Sequence, residues 1–191
     1  MLTKMTTCAL CLSAFLLAGP VSAVAQTPAT DDVTVHTAGA SRALQTYTRS
    51  RSIDDLRAAV YEMVSAGNLH ALKPDTFVAQ RRTVVRGWAQ VFKAIEDSYD
   101  PMFDPADPKN RPVWQHATQQ QMARMNHYLD VQHVDMLAQS SMKVQLDQFR
   151  KAEPDGTDAD FAALDEILQH AGLSSARRMK INRMFYARPA G

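Results

Sequence analysis

The residues best suited to catalysis in this sequence are histidines and a carboxylate between positions 116 and 133. On a continuous helix His116, His127 and Asp130 fall within about 60° of one another, which would let a histidine and a carboxylate act as an acid–base pair. No H-E-x-x-H or E-x-x-H pattern accompanies them. The favoured interpretation is a solvated polar face, and the alternative is a small periplasmic enzyme with a His/Asp site, such as His127 beside Asp130.

Carboxylates recur in the segment from Asp100 to Pro112, which holds four prolines in thirteen residues. Several carboxylates on an irregular backbone can bind Ca²⁺, and Asp100, Asp104 and Asp107 are the candidate ligands. Their spacing lacks the order of an EF-hand and its glycine. Aspartate also precedes proline often because its side chain caps turns. The sequence therefore favours turns, with a calcium-binding helical protein as a further alternative.

Signatures of other common chemistries do not occur in the sequence. It has no G-x-S-x-G motif and no glycine-rich phosphate loop, and its seven glycines are scattered. These observations argue against an esterase-type nucleophile and a nucleotide site. No cofactor is predicted.

Candidate binding residues lie on the clearest amphipathic helix, from Phe77 to Tyr99. At about 100° per residue its apolar side chains form one stripe roughly 140° wide. Arg81 falls inside this stripe, near Trp88. We expect Arg81 either to form a structural ion pair or to stack on Trp88, or else to bind an anion in a groove. Gly87 lowers helix propensity by about 1 kcal/mol, so a closely packed neighbouring helix is expected there.

The remaining periodicity predicts further helices and no strand. Ser52 is a predicted N-cap of a helix that ends at Gly67, and two short helices are expected after Gly156 and at Ser174. The range 113–152 lacks Gly and Pro and carries two apolar stripes, which fit one long helix or two helices; one is preferred. The first stripe comprises Trp114, Met122, Met125 and Leu129, and the second Val131, Val134, Ala138, Met142 and Phe149.

The predicted fold is all-α, an irregular bundle of about five helices over residues 52–191. Residues 26–51 are predicted to be a flexible leader because they are small and polar, with at most a short helix over 41–51. Residues 1–25 have the features of a cleaved signal peptide: Lys4, an apolar run from Cys8 to Ala18, and an A-x-A site at Ala23–Ala25. The protein is therefore expected to be exported, either periplasmic or secreted.

The cysteine content and the net charge argue against two further classes of function, thiol chemistry and nucleic-acid binding. Both cysteines of the chain, Cys8 and Cys11, lie in the predicted signal, so disulfides and thiolate chemistry are excluded from the rest. The formal charge of +1 falls to zero once Lys4 is removed, because residues 1–25 contain no acid. A neutral chain is a poor candidate for nucleic-acid binding. No transmembrane segment is expected after the signal.

The segment from Gly172 to Gly191 is basic and contains no acid, with Arg177, Arg178 and Arg183 as candidate binding residues. Apolar residues alternate with these cations, so the segment could make peripheral contact with an anionic membrane. The favoured alternative is that it folds back onto the acidic residues 100–107 or 155–166. Charge segregation within one neutral chain favours such internal pairing.

One stretch carries a resemblance. Trp88-x-x-Val91-x-x-x-Ile95-Glu96 is followed by D-P-M-F-D-P-A-D-P from Asp100 to Pro108. This order resembles uncharacterised exported helical proteins of bacteria, in which a Trp-bearing helix runs into a D-P-x-F-D-P-x-D-P connection and then a long polar helix. The resemblance covers residues 77–132. It implies an exported helical protein and transfers no activity and no site residues.

The function that these observations favour is binding without catalysis. We expect an exported helical protein that binds an unidentified protein or other envelope component through a helical groove or through the basic C-terminal helix. The absence of catalytic motifs and the methionine-rich helices, which suit adaptable surfaces, both favour this prediction. Candidate contacts are Arg81, Trp88, Arg177, Arg178 and Arg183.

Overall fold

A computed structural model describes residues 33–67, 77–107, 109–110, 117–152 and 157–186. These parts of the chain contain α-helices and no strand, which confirms the all-α fold. The helices are α1 (Val33–Ser50), α2 (Ile53–Gly67), α3 (Phe77–Glu96), α4 (Gln119–Ala152), α5 (Thr157–His170) and α6 (Ser175–Tyr186). The predicted signal peptide, residues 1–25, lies outside the described residues.

Helix α3 is the centre of the bundle and packs against α1, α2, α4 and α5. Its apolar stripe points into the core, where Trp88, Phe92 and Ile95 are fully buried. The close neighbour expected at Gly87 is present, because a Cβ there would lie 2.6 Å from the sulfur of Met63 in α2. The helix that the sequence singles out is therefore the one on which α1, α2, α4 and α5 pack.

The structure differs from the expected leader over residues 33–51, where it has the 18-residue helix α1. Val33, Ala40 and Tyr47 are buried at intervals of seven residues, so one face of α1 packs on α2 and α3. Small and polar residues dominate this helix, so its buried apolar face is difficult to recognise from the sequence. The flexible leader is wrong for residues 33–40, whereas the short helix allowed over 41–51 is present as the second part of α1, so the bundle has an additional N-terminal helix.

A very short turn joins α1 to α2. Arg51 has a φ of 55°, the left-handed region, which costs a non-glycine residue roughly 1 kcal/mol. The Arg51 N–H donates to the carbonyl of Tyr47 at 2.8 Å and closes the end of α1. The Ser52 hydroxyl accepts a hydrogen bond from the Asp54 N–H at 3.4 Å, so the predicted N-cap of α2 is confirmed.

Helix α4 is one helix of 34 residues, about 50 Å long, which settles the choice left open by the sequence for this range. The second predicted stripe lies in the core, with Val131, Ala138 and Met142 buried. The first points to the opposite side, where Leu129 is exposed, and it continues through the exposed Met136 and Val144. Trp114 is outside the described residues. Helix α4 therefore has apolar side chains on both faces.

The proline-rich connection after α3 is a series of turns. Phe103, Asp107 and Asn110 donate their backbone N–H groups to the carbonyls of Asp100, Asp104 and Asp107, respectively, at 2.9–3.1 Å. Phe103 is buried, and its ring packs on Tyr128 of α4 with a centroid separation of 5.6 Å. This aromatic contact attaches the connection to α4 before that helix enters the core.

Candidate functional site

A hydrogen-bonded junction joins α2, α3 and α4 inside the core. The Trp88 indole N–H donates to Gln145 Oε1 at 2.7 Å, and Gln145 Nε2 donates to the carbonyls of Met63 and Val64 at 3.0 and 3.1 Å. Gly67 leaves room for this amide, because a Cβ there would lie 1.9 Å from Gln145 Cδ. Trp88, a predicted binding residue, therefore belongs to the core rather than to a binding surface.

A second buried polar cluster joins α3, α4 and α6. Arg177 makes a bidentate ion pair with Asp135, with side chains 9% and 5% exposed. Gln139 Nε2 also donates to Asp135 Oδ1 at 2.7 Å, and the Tyr99 hydroxyl donates to Oδ2 at 3.3 Å. The Arg177 guanidinium lies 5.3 Å from the ring centroid of Phe92. Asp135 therefore has hydrogen-bond donors on both carboxylate oxygens.

Folding shifts the pKa values of the two acids of this cluster, Asp135 and Tyr99, in opposite directions. Burial raises the pKa of Asp135, but the hydrogen bonds and charge of Arg177 outweigh burial and hold that pKa below its usual range. Burial, together with the negative charge of Asp135, raises the pKa of Tyr99. The cluster is therefore charged at Asp135 and neutral at Tyr99 near neutral pH, as a structural ion pair requires.

Within the described residues no hydrogen bond joins His127 to Asp130, the pair named as a possible His/Asp site. His127 donates its Nε2–H to the carbonyl of Ser98 at 2.8 Å, so this ring links α4 to the end of α3. Asp130 is exposed on α4. His116 lies outside the described residues. The hydrogen bond to Ser98 fixes the ring orientation of His127 and uses one of its two ring nitrogens.

The predicted calcium ligands each cap a turn. Oδ1 of Asp100, Asp104 and Asp107 accepts the backbone N–H two residues on, at 2.9, 2.8 and 2.9 Å. Asp100 also pairs with Arg124 of α4 at 3.2 Å. Among the residues that the structure describes, no three histidine, cysteine or acidic side chains are placed to hold a metal ion. The carboxylates act here as turn caps.

The remaining candidate cations are divided between core and surface. Arg81 is buried on α3. Arg178 reaches α5, where its guanidinium lies 3.2 Å from Asp165, and Asn182 donates to the same carboxylate at 2.9 Å. The basic segment thus folds back in part onto acidic residues of 155–166. Arg183 is exposed beside Met179 and Lys180 on the outer face of α6.

An open groove runs along the outer face of α3, and we call it the α3 groove. Its first half, about 600 Å³, lies between α3 and α5, with Arg82, Arg86 and Ala89 facing Ala163, Glu166 and His170. Its second half, about 680 Å³, lies between α3 and α1, with Lys93, Ala94 and Asp97 facing Ser41, Leu44, Thr48 and Arg51. Gln90 and Ala171 line both halves, so the two halves adjoin.

Small side chains form the floor of the α3 groove, and charged side chains form its rim. Ala89 and Ala94 leave α3 without bulk there, and Gln90 accepts a hydrogen bond from the Ser41 hydroxyl at 3.4 Å. Among the residues that the structure describes, four cationic side chains and two carboxylates line the groove. The cations are Arg51, Arg82, Arg86 and Lys93, and the acids are Asp97 and Glu166.

Sequence reasoning missed this groove for a definable reason. The polar side of α3 was visible in the periodicity, with Arg82, Arg86 and Lys93 opposite the apolar stripe. One wall of the groove, however, is α1, for which the sequence predicted a flexible leader with at most a short helix over 41–51. A seven-residue spacing of Val33, Ala40 and Tyr47 was the available signal for that wall.

Comparison with known proteins adds no relative: no family model, no curated protein and no solved structure matches this chain. The structure also has no helix, within its described residues, that is both long and apolar enough to cross a membrane.

Proposed function

We propose that this chain is an exported, non-enzymatic protein that binds a segment of another envelope or secreted protein in the α3 groove. The α3 groove is the observation that carries the proposal. It is open to solvent along a central helix, and its walls come from helices held on the core. Concave surfaces flanked by helices are common docking sites for a polypeptide segment.

The length of the groove favours a polypeptide over a small molecule. From Arg82 to Asp97 the groove follows α3 for about 22 Å at 1.5 Å per residue. An extended segment of roughly seven residues covers that distance at about 3.3 Å each, and so does a helix of about fifteen residues. A single small ligand would occupy only one half.

The basic C-terminal segment is a weaker candidate for the binding surface than the α3 groove. In the basic segment, Arg177 is paired with the buried Asp135 and Arg178 is paired with Asp165. Two of its predicted binding cations therefore already have partners within the chain. Lys180 and Arg183 remain on the exposed face of α6 with Met179, a short surface for peripheral contact with an anionic membrane. The groove offers a larger and longer surface, and we place binding there.

Export itself rests on the signal-like residues 1–25 and on the resemblance to exported bacterial proteins with the same Trp-helix and Asp-Pro connection. N-terminal sequencing of the protein recovered from the envelope fraction tests it. A mature N-terminus at Gln26, from cleavage after Ala25, or at Val24, from cleavage after Ala23, supports export. Recovery of the chain in the cytoplasm with its first 25 residues intact would contradict it.

Site-specific photo-crosslinking tests the docking surface. A photoreactive phenylalanine analogue replaces Gln90, where the two halves of the groove meet, or the exposed Gln148 of α4 as a matched control. We expect one defined crosslinked protein from position 90 in cells and none from position 148, with its identity read by mass spectrometry. No adduct at 90, or the same adduct at both positions, would contradict binding in the groove.

A further inference from the structure

We infer that the segment bound in the α3 groove is acidic, and that its carboxylates contact Arg86 at one end and Arg51 at the other. This inference rests on the proposed function and adds the chemistry of the partner. Charge complementarity is its basis, because the described residues that line the groove include four cations and two carboxylates, and the inference rests on two of those cations, Arg86 and Arg51.

Arg86 is the available cation of the first half. It is exposed on α3 and makes no ion pair within the part of the chain that the structure describes. A planar guanidinium of this kind binds a carboxylate through two parallel hydrogen bonds. Across the groove, His170 donates Nδ1–H to the carbonyl of Glu166 at 2.8 Å, so this ring is already held to α5.

Arg51 is the corresponding cation of the second half. Its positive φ of 55° is a conformation that glycine or asparagine adopts more readily, yet an arginine occupies it. The guanidinium lies 5.8 Å from the ring centroid of Tyr47, and that ring is buried with its hydroxyl 2.5 Å from Ser98 Oγ. Strained residues often occur where a binding surface needs a fixed side chain.

The acids of the second half do not cancel this charge. Asp97 is bonded to Lys93 one helical turn before it, so these two side chains are largely neutralised by each other. Lys93 also passes close to Gly172, since its Cε lies 3.3 Å from the position that a Cβ would take on that glycine. Arg51 is therefore the charge of this half that remains for a ligand.

The two arginines lie in different halves of the groove. Arg86 lines the half between α3 and α5, and Arg51 lines the half between α3 and α1. We therefore expect at least two acidic positions in the segment, with small or apolar residues between them over the alanine floor.

Selection of displayed random 15-residue peptides on the purified protein tests the inference. We expect enriched peptides with net negative charge, and binding that weakens as salt rises. For a fluorescently labelled enriched peptide, Arg86→Gln and Arg51→Asn should each raise Kd about tenfold or more. Arg49→Gln is the matched control on an exposed arginine of α1 outside the groove, and it should leave Kd within twofold. Asparagine suits a positive φ, so Arg51→Asn keeps the turn.

A Gln90→Trp variant separates the inference from the function on which it rests, because its indole fills the middle of the groove. If Gln90→Trp abolishes binding but the enriched peptides are neutral or basic, or both arginine variants bind normally, the acidic ligand is wrong and the groove stands. If no peptide is enriched, or if Gln90→Trp binds as tightly as the unchanged protein, the proposed function is wrong as well.

Discussion

The inner and outer faces of α3 use polar side chains in opposite ways. On the inner face, Trp88 donates to Gln145, and Arg177 packs over Phe92 while pairing with Asp135. On the outer face, Arg86 is directed to solvent beside an alanine floor. The inner groups have their partners inside the chain, whereas the outer ones line a surface that could accept a partner from outside.

This difference between the two faces indicates which substitutions should affect stability and which should affect binding. A buried polar group is costly to leave without its partner, so substitutions on the inner face should appear as lost stability. An exposed cation contributes little to folding, and its substitution should change binding alone. The predictions below test this division, from the largest expected effect on the free energy of unfolding to the smallest.

The largest effect is expected for Arg177→Met. This change removes the guanidinium and leaves the Asp135 carboxylate buried without its ion pair. Breaking a buried pair from one side costs about 3–5 kcal/mol of unfolding free energy. Urea denaturation followed by circular dichroism measures the loss, with Arg183→Met on the exposed face of α6 as the control.

The double variant Asp135→Leu with Arg177→Met sharpens this test. Replacing both partners by apolar groups leaves no buried charge, so most of the lost stability should return. A single Arg177→Met variant that loses less than about 1 kcal/mol would show that the cluster is far more solvated than its burial indicates.

The next effect is expected at the junction of Trp88 and Gln145. Gln145→Leu removes the acceptor of the indole N–H and the donor to the carbonyls of Met63 and Val64. We expect a loss of about 2–3 kcal/mol because these groups remain buried. Thermal and urea unfolding measure it against Gln148→Leu, an exposed change on the same helix that should have almost no effect.

Gly67→Ala tests the same junction from α2. The added methyl would lie 1.9 Å from Gln145 Cδ and must displace the amide from its hydrogen bonds. We expect a destabilisation that is smaller in a Gln145→Leu background, since the hydrogen bonds are already gone there. Equal losses in both backgrounds would locate the cost in the backbone of α2 instead.

The pH dependence of stability should follow the two shifted groups. The pKa of Asp135 is lowered by folding, so its contribution is present above the unfolded value of about 4 and is lost as pH falls below it. The pKa of Tyr99 is raised, so its contribution is present below about pH 10 and is lost as pH rises further.

Melting temperatures across pH measure both limbs. Tyr99→Phe should flatten the alkaline limb, and the double variant Asp135→Leu with Arg177→Met should flatten part of the acid limb. Unchanged limbs in these variants would assign the pH dependence to other groups.

The smallest effect on folding is expected for Arg86→Gln. The side chain is exposed and makes no ion pair among the described residues, so unfolding free energy should change by no more than about 0.5 kcal/mol. Urea denaturation measures this, and the peptide titrations described above measure binding. A loss of stability comparable to that of Gln145→Leu would break the division between the two faces.

The sequence predicted the helices whose apolar spacing is strong and missed those contacts that depend on tertiary structure. Trp88, Phe92 and Ile95 share a stripe, so α3 and its inward face were predictable. Gln145 falls on the buried stripe of α4, three residues after Met142 and four before Phe149, so its inward position was readable too. Its hydrogen bonds to α2 and α3 were not readable, because no local pattern encodes how closely those helices approach.

The candidate site was less predictable than the fold. Arg177 was predicted as a binding residue because its segment is basic, but pairing with Asp135 requires α6 to cross α4, which spacing along the chain does not report. The cations of the groove were visible in the sequence as the polar side of α3. That these cations line a groove could not be predicted, because the weak apolar spacing of α1 did not identify that helix as one wall of the groove.

The distribution of methionine has a consequence for oxidation chemistry. Outside the predicted signal the chain has no cysteine, so methionine thioethers are its only readily oxidised sulfur atoms. Met102, Met136 and Met179 are 79%, 61% and 55% exposed, while Met63 and Met142 are fully buried. Mild peroxide should therefore convert the first three to sulfoxides, make the outward stripe of α4 more polar at Met136, and leave the core intact.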